Sequence, residues 1–500
     1  MNTHFVVSMA AIVFYTAFCL YIGLGVGYNK QTVSTSRGFF IGSGEGFVIL
    51  YMTTAATWFS TWVFLGAAGS FYRFGIGWIC AVTWQMCIMF LMGTFGPKVW
   101  RIGQSYNYTT PAELLAGYYK SEPLRYTVGG AQLAFCVPHL MAQSTGVGLA
   151  VTTLTNGIIP FWAGCVYAAV VVGIYVFWGG FKSQAWVDTV QGFMFITIIW
   201  GSVFIMLSQQ EVGGLTGLFA GVEAANERLL HYLPQGWTWQ NYLSFSLIQV
   251  FAGFFGPHIW QRMYAAKSGR VIQKMSGSLG PLYSFVVMFP VMLVGLAGVV
   301  LKIDVANADN LFVTAMNLLR PYWAILCLVG ILAAGMSSLS SILVSCASIL
   351  SVDFIQRIKP NMEAKTLRNL ARGIVVGMVF MAIVLAMMEI RAIVFIMNLS
   401  ASGFCQTFWP TLGVFFWKRA TKHGAFWGFA AGIGVSAAFT ATGYSPIGLM
   451  AGVWGFIANG VIFVLLSLMT QPKPASERAE YLAPLVKNRT LKDFVGITEI

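Results

Sequence analysis

Charged side chains are scarce in this sequence: Asp, Glu, Lys and Arg supply 9% of its 500 residues, against 57% hydrophobic ones. A soluble domain carries about 25% charge, so a water-soluble globule is excluded and a membrane is implied as the solvent. Acid is the scarcer sign, with 16 acidic residues against 29 basic and a net charge of +13. Metal-ligand spacing is missing too. The eight cysteines, Cys80, Cys87, Cys136 and Cys346 among them, fall singly in apolar stretches. That argues against a disulfide framework or a zinc site and leaves buried, inert thiols. The N-terminus, "MNTHFVVSMAAIVFYTAFCLYIGLGVGY", has no basic leading region and no small-residue cleavage site before its apolar run ends. It reads as a retained first helix and not as a signal peptide.

What the sequence does have is apolar length. Stretches of about 20 residues, enough to cross a bilayer, recur over 5–28, 43–72, 75–97, 126–152, 158–178, 183–208, 240–261, 275–301, 321–352, 373–388, 392–417, 424–442 and 449–470. These thirteen segments predict an all-α integral membrane protein. The basic residues orient it. All 29 Lys and Arg except Arg73, Arg228, Lys302, Arg320 and Arg391 fall in alternate loops, beginning with 29–42 and ending in the tail 471–500. The positive-inside rule then puts the N-terminus outside and the C-terminus in the cytoplasm. Arg262, just past segment 240–261, counts among these loop cations. Orientation and contact with anionic lipid headgroups account for the net charge without nucleic acid. No obligate protein partner is implied.

Polar and small residues gather inside particular segments. The second reads "YMTTAATWFSTWVFLGAAGSF", with Thr53, Thr54, Thr57, Ser60 and Thr61 around Trp58, Phe59 and Trp62. Such a helix can unwind locally, because hydroxyls and neighbouring helices take up the freed backbone groups. Unwinding exposes carbonyl oxygens, hard ligands for an alkali cation; close packing through small residues would use the same composition. Further on, "AAGMSSLSSILVS" crowds four serines into one and a half turns. Residues three and four apart share a helix face, so Ala334, Ser337, Ser338 and Ser341 form one stripe. Two hydroxyls and a carbonyl there, with two freed carbonyls from the second segment, would make an uncharged five-oxygen cage for a monovalent cation. A packing face is the competing reading.

Asp188, in "GGFKSQAWVDTVQGFMFI", lies a turn or two inside the sixth segment. A carboxylate at the membrane centre costs roughly 2.5–3.5 kcal/mol on insertion scales, so it needs a partner or an ion. With Ser337, Ser340 and Ser341 it would make a second cation site; anchoring a loop is the alternative. Glu45, Asp353 and Glu389 sit at segment ends and read as structural.

At this point the residues resemble a known family, the sodium/solute symporters, over about residues 5–470. The matching pieces are "STWVFLGAAGSFYRFGIGW", "TTPAELLAGYYKSEPLR", "FWGGFKSQAWVDTVQ", "GPHIWQR", "AAGMSSLSS" and "FFWKRATKHGAFWGFAAG", in the family's order. The resemblance implies one transporter domain of thirteen helices in a bacterial inner membrane. An extra first helix (5–28) precedes an inverted five-plus-five repeat (43–208 and 240–417, a LeuT-like core), and two C-terminal helices (424–470) follow. Each repeat leads with a helix broken at the midplane. The resemblance places a sodium site on the carbonyls of Ala56, Phe59 and Ala334 and the hydroxyls of Ser337 and Ser338. The residues that some members use for a second sodium are matched by Asp188, Ser337, Ser340 and Ser341, so one or two sodium ions would travel with each solute.

For the solute, the same resemblance points between the two breaks, to Trp58, Trp62, Gln143, Ser144, Gln249, Phe254 and Gln406. Proline carriers of the family have an acidic residue where this chain has Trp58, and pantothenate carriers an aromatic one. The expectation is therefore sodium-coupled symport of a small organic carboxylate, such as a monocarboxylate or a pantothenate-like acid, or of an amino acid. No Lys or Arg is expected to face the solute, and His139 and His258 read as structural. Proton coupling, a sugar or other solute, and a transporter-like sensor are the alternatives, the last disfavoured by a tail of about thirty residues. No nucleophile-and-base group or metal cluster suggests an enzyme, and no repeated pore loop suggests a channel.

Overall fold

The computed structural model describes residues 3–155, 157–387 and 393–486. Its regular elements are helical, apart from one isolated parallel bridge at Glu45 and Ala266. The helices that build or brace the site are α1 (Thr3–Leu20), α2 (Phe47–Trp58), α3 (Glu122–Leu154), α4 (Phe161–Leu207), α5 (Trp239–Phe255), α6 (Pro257–Ala265), α7 (Pro321–Ile349), α8 (Ile393–Phe404) and α9 (Ala475–Val486).

Among the described residues, ten helices are long and apolar enough to cross a bilayer singly. An eleventh crossing comes from α2 together with Trp62–Phe74, bent by 50°. Thirteen segments give fewer crossings by this measure for two reasons. Segments 158–178 and 183–208 share α4, whose 47 residues extend about 70 Å, more than twice a hydrocarbon core of about 30 Å. A turn at Gly180 (φ 56°, ψ −145°) divides it. A Cβ there would come within 2.3 Å of the Phe39 carbonyl oxygen, so only glycine fits both the φ and the space. Segment 392–417 is split among α8, a 3-10 turn at Cys405–Thr407 and the helix Phe408–Phe416, each too short alone. Glu389 and Arg391 lie outside the described residues.

Two helix breaks face each other across the centre. The first follows Trp58, where Phe59 leaves helical geometry (φ −78°, ψ 49°) and its N–H still donates to Ala55 O at 2.8 Å. The freed groups find partners, as apolar surroundings demand. Thr61 donates its N–H and its hydroxyl to Gln143 Oε1 of α3 (3.3 and 3.0 Å), and Trp62 N–H donates to Ser60 Oγ (3.2 Å). A π-helical stretch, Trp62–Ala67, resumes the chain. The second break is a Gly-Pro step. Gly256 (φ −64°, ψ 138°) ends α5, and Pro257 opens α6, where its missing N–H costs nothing.

α7 runs through the middle, packed on α3 and α4. Of its best membrane-spanning window 94% is buried, against 22% for the N-terminal span that contains α1. At one end the breaks' helices are joined through backbone alone: Glu45 N–H donates to Ala265 O (2.7 Å), and Lys267 N–H donates to Glu45 O (2.9 Å). Near that end Asp353 is fully buried and accepts from Thr110 Oγ1 (3.0 Å) and Arg125 Nη1 (3.4 Å). The tail contains α9, whose Tyr481 stacks on Tyr106 with ring centroids 4.9 Å apart and donates to Leu114 O (2.9 Å).

Candidate functional site

The serines of α7 meet the first break. Ser337 Oγ donates to Ala56 O (2.9 Å) and shares that proton with Ala334 O (3.0 Å), while Ser338 Oγ donates to Thr57 O (2.8 Å). All these residues are buried. The structure thus brings together the carbonyls of Ala56 and Ala334 with the hydroxyls of Ser337 and Ser338, and adds the Thr57 carbonyl. Phe59 stands at the break, its ring against Phe195 and Tyr283 (5.9 and 5.5 Å). A hydroxyl that donates one proton keeps lone pairs for a cation. Carbonyl and hydroxyl oxygens without a net charge suit a monovalent ion that must both bind and leave.

One turn further along α7 lies Asp188 of α4. Thr53 Oγ1 donates to its Oδ2 (2.6 Å), Gln184 Nε2 does so at 3.2 Å, and Ser340 Oγ reaches Oδ1 at 3.5 Å. Ser340 and Ser341 both donate to Ser337 O (2.8 and 2.7 Å). The four residues expected at a second cation site are therefore neighbours, but a fifth stands among them. Arg262 Nη2 is 3.3 Å from Asp188 Oδ2, 2.7 Å from Ser341 Oγ and 3.0 Å from Thr53 Oγ1, and it also touches Thr57 Oγ1. Arg262 Nη1 donates to His258 O (2.8 Å). The sequence reading put Arg262 in a loop; it is instead fully buried in α6. Hydropathy assigns an arginine at a segment edge to water because it cannot see a carboxylate that lies 74 residues away in sequence.

Between the breaks is a cavity of about 70 Å³, several times what one water needs. Its walls include Trp58, Trp62 and Gln249, as expected, and also Trp84, His139, His258 and Ser400. The imidazoles of His139 and His258 meet edge to face, 5.2 Å apart. Their Nδ1 atoms, the indole nitrogens of Trp58 and Trp84 and the Ser400 hydroxyl are buried without a hydrogen-bond partner among the described residues. Among the described residues, no acidic side chain lines the cavity. The histidines thus form part of its wall. Their signal was present in spacing: His139 lies one helical turn before Gln143, and His258 follows the Gly-Pro break directly.

Four of the expected solute residues lie outside these walls. Gln143 holds the first break through Thr61, and its amide nitrogen reaches Met397 Sδ at 3.8 Å. Ser144 is buried on α3, where its carbonyl accepts from Cys165 Sγ (3.1 Å). Phe254 packs on Phe95, Phe255 and Trp260. Gln406 donates to Ser402 O (3.1 Å) and accepts from Asn459 Nδ2 (3.2 Å).

Known proteins resemble this chain in sequence and in fold. The Sodium:solute symporter family matches residues 39–432. The sodium/pantothenate symporter of Escherichia coli (strain K12) is 25% identical over 408 residues, covering 79% of this chain and 83% of that protein. The sodium/proline symporter of Haemophilus influenzae is 27% identical over 409 residues, covering 77% and 79%. Among solved structures, a Na+-coupled sialic acid symporter in a substrate-bound outward-open state superposes with a TM-score of 0.78. It is 18% identical and covers 93% of this chain and 98% of that one, a likeness of fold. With one family matched across the helix breaks, the serines and the carboxylate, the chain belongs to the sodium:solute symporters and is a membrane transporter, not an enzyme.

Proposed function

We propose that this protein carries a small organic carboxylate across the bacterial inner membrane together with sodium, by alternating access. The observation that carries this reading is that Thr57 serves both sites: its carbonyl belongs to the oxygen cluster with Ser338, and the residue also lines the cavity beside Trp58. A sodium ion on the carbonyls of Ala56, Thr57, Phe59 and Ala334 and the hydroxyls of Ser337 and Ser338 would fix the conformation of the break. Trp58, one residue on, is then presented to the solute. Cation and solute binding share one backbone segment, which gives a physical route for coupling.

Among the described residues the cavity offers indole and imidazole nitrogens and a hydroxyl, and no acid. Donors without an acid fit an acceptor-rich solute, so a monocarboxylate, a pantothenate-like acid or the carboxylate of an amino acid is the class proposed. Trp58 in place of an acidic residue argues against proline. In the same reading the chain makes thirteen crossings with repeats at 43–208 and 240–417, the turn at Gly180 separating two of them, and the C-terminus lies in the cytoplasm. The test is uptake of a panel of radiolabelled carboxylates, amino acids and sugars into proteoliposomes under an imposed sodium or proton gradient. Accumulation of a carboxylate driven by sodium alone is expected. Accumulation driven by protons alone, or of sugars only, would refute it.

A further inference from the structure

Arg262 is fully buried within a membrane-capable span, where ionisable residues are rare and need a partner. One nitrogen of its guanidinium meets four oxygens, from Asp188, Ser341, Thr53 and Thr57. These come from α4, α7 and α2, while α6 carries the arginine itself. One carboxylate and three hydroxyls are also the shell that a desolvated sodium ion would accept. Two monovalent cations in that shell would share a single negative charge and repel each other at contact distance. Only one fits at a time. The tether decides which, because a cation on the same chain competes at high effective concentration without losing the freedom of a dissolved ion. Gln184 Nε2 closes the remaining side, on Ser341 Oγ (2.8 Å) and Asp188 Oδ2 (3.2 Å).

We propose that Arg262 is the resident cation of the Asp188 pocket, supplied by the chain itself, so that sodium enters this pocket only when the guanidinium has left it. The wild-type protein then holds one sodium ion, at the oxygen cluster of Ala56, Ala334, Ser337 and Ser338, a count that rests on the symport reading above. A monocarboxylate moving with that one ion carries no net charge across the membrane. Removing the guanidinium uncovers a second sodium site and makes the cycle electrogenic.

The test uses sodium alone. Saturation binding of radioactive sodium to the purified full-length protein in detergent should give one ion per chain for the wild type, two for Arg262→Gln, and one again for Arg262→Gln combined with Asp188→Asn. Arg262→Lys, which keeps a tethered cation, should stay at one. No gain of an ion in folded Arg262→Gln overturns the proposal, as does a wild type that already binds two. A wild type that binds none while Arg262→Gln binds one would refute the symport reading and leave this inference standing. Should Arg262→Gln fail to fold, Ser340→Ala in the wild-type background decides. That change removes a hydroxyl from the Asp188 pocket without touching Arg262, so sodium affinity should be unchanged. A tenfold loss would mean that sodium already binds there.

Discussion

Ser337 and Ser338 each hold a carbonyl of the first break, so removing either hydroxyl strands a buried acceptor and deletes a cation ligand. A buried acceptor left unpaired costs about 1–3 kcal/mol, and each 1.4 kcal/mol is about tenfold in affinity. Ser337→Ala and Ser338→Ala should therefore each raise the sodium concentration for half-maximal uptake about tenfold. Ser345→Ala is the comparison, because Ser345 Oγ donates to Gln261 Oε1 (2.8 Å), away from the cluster; its sodium dependence should stay at the wild-type value. For the cavity, His139→Leu should weaken carboxylate binding while sodium binding alone persists, measured by thermal shift with each ligand separately. At this scale the serines and Asp188 were legible in the sequence, since hydroxyls and a carboxylate within long apolar runs have few bland explanations. Arg262 was not, and the two histidines left only a local trace in their spacing to Gln143 and to the Gly-Pro break. Their significance depends on which remote helix they meet, and a linear pattern carries no record of that.

Helices show the same division. The unwinding of α2 could be read from its threonines, serines and glycines, and the Gly-Pro step of "GPHIWQR" marked the second break. The turn inside α4 could be read as well, because "GGFKS" parts segment 158–178 from 183–208 at Gly180. Gln143 was named for the solute because the family resemblance points between the breaks; its amide oxygen accepts from the first break's own N–H and hydroxyl. Gln143→Leu should thus act on the break and not on solute choice. It leaves the Thr61 N–H unpaired, while the hydroxyl keeps Ala142 O (3.4 Å), with an expected loss of about 1–3 kcal/mol of stability. A fall in melting temperature with an unchanged ranking of solutes is the expected result. A changed ranking at unchanged melting temperature would return Gln143 to the cavity.

Across the whole molecule, the asymmetry of basic residues is a statement about orientation that labelling can check. In a cysteine-free version, a single cysteine beside Lys365 should react only from the cytoplasmic side, and one beside Arg228 only from outside. Reaction of both from one side would overturn the thirteen crossings. The tail is more ordered than its sequence advertised: α9 lies against the face that carries Tyr106 and Tyr118, through Tyr481. A short polar-looking helix gives no hydropathy signal, and its stacking partners are more than 300 residues earlier.

The bridge of Glu45 to Ala265 and Lys267 has a consequence of its own. It is made of main-chain groups only, so no replacement short of proline at 45 or 267, which lacks the N–H, deletes either hydrogen bond. It also gives the molecule a built-in clock. The Lys267 amide can exchange its hydrogen with solvent only while the strap between the two broken helices is undone. Its deuteration rate therefore counts opening events, on the unlabelled and unmutated protein. If opening toward that side follows departure of the solute, adding sodium and a transported carboxylate should change this one rate severalfold. Amides in the middle of α7 should meanwhile keep their own slow pace.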